Sequence, residues 1–202
     1  MTPLFSTAYL PPVRYVAALL RHPDALIEAK ETFPKQTYRN RALILTAGGV
    51  RALSVPVLRD NHSRTEQVAV DYSDRWPVVH MRTLEAAYAA SPFFFYYKDG
   101  LFERLAERHD SLLSLNLSLL RWVLGLLKVD LPLGLTADWL PPSGQPLDFR
   151  NAFSPKRPRS GEGLNSYYQV FADRLPFEPD LSVLDLLFCL GPEAKAYLEA
   201  VA

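Results

Sequence analysis

The chain of 202 residues has one cysteine, Cys189, no net charge and no uninterrupted apolar run of membrane-spanning length. Each shortage excludes something. A lone cysteine cannot close an internal disulfide, which fits a reducing compartment. Twenty-two acidic residues balance 22 basic ones. A general nucleic-acid binder carries a basic excess, so no nucleic-acid partner is expected. A local anion site remains compatible with that balance. The longest apolar segment, Leu112 to Val129, is interrupted by Asn116, Arg121 and Lys128. A span of ~20 residues would bury those groups in lipid, so a buried amphipathic helix is the better reading. Met1 to Leu10 lack a basic stretch and a long apolar stretch. No signal peptide is expected, and the cytoplasm is the expected location.

Familiar motifs are missing as well. The chain has no Gly-x-x-x-x-Gly-Lys-Ser/Thr loop, no Gly-x-Gly-x-x-Gly and no Gly-x-Ser-x-Gly elbow. The histidines, His22, His62, His80 and His109, form no zinc spacing with each other or with Cys189. No metal is expected, and the sequence names no cofactor. Cys189 sits in the apolar run Leu186 to Leu190, where a thiol packs as a small hydrophobe.

What is present is ordinary in bulk: 49% apolar and 22% charged residues. The length suits one domain, residues 1–202, around one core. An extended opening segment, Tyr9-Leu10-Pro11-Pro12, precedes a short helix over 13–21. Residues 25–29 read as a first strand. Residues 42–46 and 52–57 flank Gly48-Gly49 and read as a hairpin, with both glycines supplying positive φ. Pro56 places that strand end at an edge. Residues 67–72 read as a third strand of the same sheet.

The chain then turns helical. Asp74 is the expected N-cap and Pro77 a first-turn residue of a helix reaching about Ala90. Asp99-Gly100 closes the aromatic run Phe93 to Tyr97, and a separate short helix follows over 101–107. Asp110 caps a long helix to about Leu127. Residues 130–165 are rich in proline and glycine and read as an irregular loop region, with a short helix near 136–140. Ser182 and Asp185 have capping-box spacing, Gly191 ends that helix, and Pro192 opens another. The expected class is α+β: a small, mainly antiparallel sheet from the N-terminal part packed against several helices.

Polar groups concentrate in Lys35-Gln36-Thr37-Tyr38-Arg39-Asn40-Arg41, set before the hairpin. If this run is extended, Thr37, Arg39 and Arg41 share one face and Tyr38 and Asn40 the other. Paired guanidinium groups suit a carboxylate or phosphate, or they pair with acids such as Glu28 or Glu31. His80 shares a stripe with Leu84, Ala87 and Tyr88. An imidazole there is either a satisfied core group or a proton-transfer group. Asn116, on the apolar stripe of the long helix, bonds a neighbouring loop or a ligand. Lys156, Arg157 and Arg159 make a short basic run that is either a solvated loop or a flap, over 155–161, closing on an anion.

These motifs, in order, resemble the WbqC-like protein family. They are Ala8-Tyr9-Leu10-Pro11-Pro12-Val13-Arg14-Tyr15, the run 35–41 with Leu53-Ser54-Val55-Pro56-Val57, and Trp76-Pro77 with His80 through Ser91-Pro92-Phe93. Tyr167-Tyr168-Gln169-Val170-Phe171 and Leu181 to Glu193 complete the set. Departures are Cys189, where the family suggests asparagine, and Lys30 or Glu31, near which it suggests histidine. The family takes its name from a protein encoded among surface-polysaccharide (O-antigen) genes. The resemblance implies a bacterial cytoplasmic enzyme acting on an activated sugar, with acyl or aminoacyl transfer to an amino sugar as the expected reaction. The expected partner is an anionic small molecule of the nucleotide-sugar class. On that reading Lys35, Arg39 and Arg41 hold the anion. Tyr9, Tyr38, Asn40 and Asn116 orient it, His80 transfers a proton, and Asp185 supports the site from behind. The rival is a non-catalytic binding or scaffold protein of a polysaccharide assembly system.

Overall fold

The computed structural model describes residues 2–141, 147–159 and 161–201. In chain order the elements are β1 (Leu4–Ser6), α1 (Val13–Leu20), β2 (Leu26–Glu28), β3 (Arg41–Thr46) and β4 (Gly49–Ser54). Then come β5 (Val57–Leu58), β6 (Ala69–Val70), α2 (Trp76–Tyr88), α3 (Phe94–Ala106) and α4 (Leu112–Leu126). The last are β7 (Gly134–Leu135), α5 (Val183–Leu190) and α6 (Ala194–Ala200). The class is α+β, as the sequence implies. One continuous apolar cluster runs from Phe5 to Val201.

The strands form three small sheets rather than one. β3 and β4 make the antiparallel hairpin, with Arg41 opposite Ser54 and Thr46 opposite Gly49. Only Gly49 of the glycine pair has positive φ, 95°. Pro56 ends β4, and the chain pairs anew beyond it. β5 and β6 form their own antiparallel pair, so 69–70 does not join the hairpin. The third sheet is parallel, in the order β1-β2-β7. The strand read at 25–29 is β2, and β1 precedes it unannounced by any periodicity. No helix forms near 136–140. There β7 pairs with β2, and Thr136 N–H continues the ladder to Ile27 O at 3.1 Å.

The helices differ from expectation in their ends. Arg75, not Asp74, occupies the N-cap of α2, without a side-chain cap, and Pro77 lies in the first turn as expected. Ser111, not Asp110, caps α4, its Oγ accepting from Ser114 N–H at 3.1 Å. α3 runs unbroken through Asp99-Gly100. Gly100 serves close packing instead: a Cβ there would stand 3.0 Å from Trp122 Nε1 on α4. Ser182 caps α5, accepting from Leu184 N–H, and Gly191 closes it at φ 55°. Asp185 does not complete a capping box, because its carboxylate turns inward (below).

α1 has Pro12 at its N-cap, which offers no side-chain acceptor. Distant residues supply the caps: Leu181 O accepts from Val13 N–H at 3.0 Å and Asp180 Oδ1 from Arg14 N–H at 2.9 Å. The C-terminal segment is thereby locked to the N-terminal one. β3 lies between α2 and α5: Tyr88 Oη accepts from Leu45 N–H and Leu43 O from Ser182 N–H. This arrangement holds α2 alongside the hairpin and creates the groove described next.

Candidate ligand-binding cleft

α2 buries Trp76, His80, Leu84, Ala87 and Tyr88 on one stripe, the 3.6-residue periodicity expected of it. Val79, Arg82 and Thr83 face the hairpin instead. Between them and β4 runs an open cleft whose base is lined by Ser54, Asp74, Arg75, Trp76 and His80, with Arg51 on the hairpin wall. Its volume, about 420 Å³, is in the range of small-molecule sites. A second compartment of about 420 Å³ adjoins it at the hairpin tip, and Arg51, Val79 and Thr83 line both.

His80 is 4% exposed and lies on the wall of this cleft. The Tyr9 hydroxyl meets its Nδ1 at 2.8 Å. Trp76, one turn earlier, presents an edge-on ring at 5.0 Å. Burial holds the imidazole well below its ordinary value, at about 4, and the Ser54 backbone opposes that weakly. At neutral pH the ring is therefore uncharged. With the Tyr9 phenol donating to Nδ1, the ring proton belongs on the other nitrogen. So held, the neutral imidazole accepts from Tyr9 at Nδ1 and gives its ring proton to the Ser54 backbone.

The cations around the cleft are arginines that sequence reasoning did not single out. Arg51, Arg75 and Arg82 are exposed and engage in no ion pair among the described residues. Trp76 also lines the cleft, and its indole N–H is buried with no hydrogen-bond partner among the described residues. Guanidinium groups with no ion-pair partner among the described residues favour an anionic guest. A signal for two of these arginines was available, since Arg75 and Arg82 are seven residues apart on one helix and share a face.

The run 35–41 has a different structure from the extended one expected. It turns, with Gln36 at φ 58°, and the alternation of faces does not form. Lys35 is exposed. Tyr38 is buried, and burial, aided by the Asp180 carboxylate, pushes its phenol above the usual range. Arg39 is 2% exposed and clamped in a two-pronged pair with Glu31, at 2.7 and 2.8 Å. The ion-pair alternative is thus the one that forms at Arg39. Asn40 donates to Val55 O at 3.0 Å and closes the base of the hairpin. Arg41 opens β3 opposite Ser54, a cleft residue, with its Nε buried and without a partner among the described residues.

Asn116 donates to Thr7 Oγ1 at 3.1 Å and Arg39 O at 2.8 Å, so its amide ties α4 to two loops. Its Oδ1 is buried without a partner among the described residues. Tyr9 N–H donates to Tyr38 O at 2.8 Å while its phenol reaches His80. Tyr9 therefore links the 35–41 run to the cleft wall, although the arginines of that run do not line the cleft. Asp185 is fully buried and accepts from Tyr88 Oη at 2.9 Å, Tyr167 Oη at 2.6 Å and Gln169 Nε2 at 2.8 Å. Burial raises its carboxyl pKa against those bonds. Through Tyr88 it anchors the last turn of α2.

Glu28 and Arg150 form a second buried pair at 3.3 Å, with Asp148 bound to the same guanidinium at 2.6 Å. Glu28 also accepts from Thr136 Oγ1 and Lys30 N–H, which satisfies it internally. Lys156 and Arg157 are exposed, while Arg159 pairs with Glu178 at 2.7 Å. Ser160, within the candidate flap, and 142–146, within the loop region, lie outside the described residues. Among the described residues no group of His, Cys, Asp or Glu is placed to hold a metal ion, and no helix is long and apolar enough to cross a membrane.

Fold and cleft together define an α+β protein with a donor-rich groove between a hairpin and a helix. The sequence profile of the WbqC-like protein family matches residues 7–153, and the chain belongs to that family. It is 29% identical over 193 residues to the uncharacterized protein Rv1507c of Mycobacterium tuberculosis (strain ATCC 25618 / H37Rv), covering 82% of this chain and 83% of that one. No solved structure matches the chain.

Proposed function

We propose that the protein binds an anionic activated sugar in the cleft between β4 and α2, as a cytoplasmic component of bacterial surface-glycan assembly. The observation that supports the binding reading is three exposed arginines with no ion pair among the described residues, Arg51, Arg75 and Arg82, lining two adjoining small-molecule-sized compartments. The family resemblance supplies the biological setting. Arginine suits phosphate through its forked donors, and the Ser54 hydroxyl and Asp74 carboxylate suit sugar hydroxyls. His80 contributes a neutral ring to the wall, its nitrogens engaged by Tyr9 and the Ser54 backbone. Tyr38, Arg39, Asn40 and Asn116 act from behind, holding the hairpin and Tyr9 in place.

A second reading, acyl or aminoacyl transfer to an amino sugar, is favoured by one observation. His80 stands on the cleft wall with a phenol on Nδ1, so an approaching anion would raise its pKa from about 4 toward a useful value. The experiment for the first reading is a thermal-shift screen with inorganic phosphate, sugar 1-phosphates and nucleotide sugars. A ligand at ~100 times its Kd stabilises the fold by about 2.7 kcal/mol. The shift is expected in the wild type and is expected to vanish in Arg51→Ala/Arg75→Ala but persist in Lys156→Ala. No shift with any anion, or one that the arginine substitutions leave intact, contradicts it. Turnover unchanged by His80→Ala contradicts the second reading alone.

A further inference from the structure

The two compartments of the groove are charged alike. Arg51 lines both, Arg75 completes the base and Arg82 the tip. Arg75 is the N-cap of α2 and Arg82 follows two turns later, so about 10 Å of helix axis separates them. Between them Val79, half exposed, lines the shared passage with Thr83. Along α2 the wall therefore reads cation, uncharged stretch, cation, with Arg51 opposite on β4. Asp74 is the one acid among the lining residues, and His80 is neutral. Glu85 of α2 lies 3.8 Å from Lys98 and does not line the groove. Three arginines against one aspartate leave two positive charges in excess. A ligand with one anionic group answers one compartment and leaves the α2 arginine of the other unpaired. A ligand with an anionic group at each end of an uncharged body answers both.

We propose that the groove takes an activated acidic sugar, a sugar phosphate whose sugar carries a carboxylate, with one anionic group in each compartment and the ring across Val79 and Thr83. This rests on the binding reading above and narrows it to acidic sugars. It assigns neither end of the ligand to a particular compartment. Phosphate and carboxylate are the two anions that the forked donors of arginine fit. A sugar ring places hydroxyl groups, not charge, between its two ends. Thr83 Oγ1 donates to Val79 O at 2.7 Å, which leaves its lone pairs to accept from such a hydroxyl.

Titration calorimetry tests this with two pairs of probes, glucose 1-phosphate against glucuronic acid 1-phosphate and UDP-glucose against UDP-glucuronic acid. Within each pair the added charge is the carboxylate, so the comparison does not depend on what lies beyond the phosphate. The proteins are the wild type, Arg75→Ala and Arg82→Ala. Both side chains are exposed, so folding is expected to survive; a melting curve checks it, and Arg75→Gln or Arg82→Gln replaces an alanine variant that melts early. The wild type is expected to bind the acidic member on the order of tenfold tighter. That preference is expected to disappear in the one variant that lacks the arginine of the carboxylate. In the other variant both members weaken alike and the preference stays. Equal affinity for both members in the wild type overturns the acidic-sugar assignment while the binding reading stands. A preference that neither substitution lowers overturns it too, because the carboxylate then meets neither arginine. So does a preference that both lower equally, because the cations then act as one diffuse field. Failure of all four probes on the wild type overturns both readings.

Discussion

At the scale of single residues, His80 and Arg39 show how differently two polar side chains of one motif set are used. His80 keeps its neutral form because burial outweighs the help of the Ser54 backbone, placing its pKa at about 4 against an ordinary 6.5. Unfolded chains take up a proton on this residue below about pH 6.5, and the folded one resists until about pH 4. Its contribution is therefore whole above pH 6.5 and is lost as pH falls through that window, by up to about 3 kcal/mol. His80→Gln retains an acceptor for Tyr9 and does not titrate. Urea denaturation at pH 7 and pH 4.5 should show the wild type losing more stability than the variant; parallel losses contradict the assignment. Arg39 is different in kind. Its clamp on Glu31 is buried, so Arg39→Ala strands a carboxylate and should cost about 3–5 kcal/mol of folding stability. Denaturant midpoints measure this. A variant of wild-type stability would put Arg39 back among candidate ligand contacts.

At the scale of elements, the helices that periodicity marks most strongly are present, and the surprises lie where a distant partner decides. α2 carries its stripe, and the hairpin pairs across the Gly48-Gly49 turn that the sequence marks. β1 and β7 are two or three residues long and pair in parallel with β2, so no local pattern could announce them. Gly100 looks like a helix breaker in sequence, yet the need is for close approach of α3 to Trp122. Gly191 is a real terminus, and more: a Cβ there would meet Phe93 at 2.5 Å, and φ is 55°. Gly191→Ala combines a left-handed backbone with a clash against the start of α3. The expected cost is roughly 2–5 kcal/mol, read as a lower denaturation midpoint. Retained stability would mean that Phe93 and the α5 terminus repack freely.

At the scale of the whole molecule, the ordered motifs are largely points where the chain is tied to itself. Leu10 O accepts from Ser182 Oγ, Pro11 O from Val183 N–H, Tyr38 O from Tyr9 N–H and Arg39 O from Asn116. The opening segment, the 35–41 run, α4 and α5 are thus one interlocked unit. The α+β class was legible in sequence, and Tyr9, Asn116 and Asp185, expected at the site, make side-chain ties in the folded chain. The conformation of the 35–41 run was less legible, because it is set by contacts with Glu31 and Asn116 that form only on folding. The cleft arginines were obscured for the same reason: Arg51 joins Arg75 and Arg82 only when β4 is laid along α2.

The central claim is that this groove, and not another surface, takes the anionic ligand. Trp76 provides the most direct reporter, since the residue lines the cleft and packs edge-on against His80. The protein has three tryptophans, Trp76, Trp122 and Trp139, hence three indole signals in a 1H–15N spectrum. Titration with a nucleotide sugar should move the Trp76 signal and leave those of Trp122 and Trp139 in place. Saturating ligand that leaves Trp76 unmoved, or that moves only Trp122 or Trp139, would contradict the account.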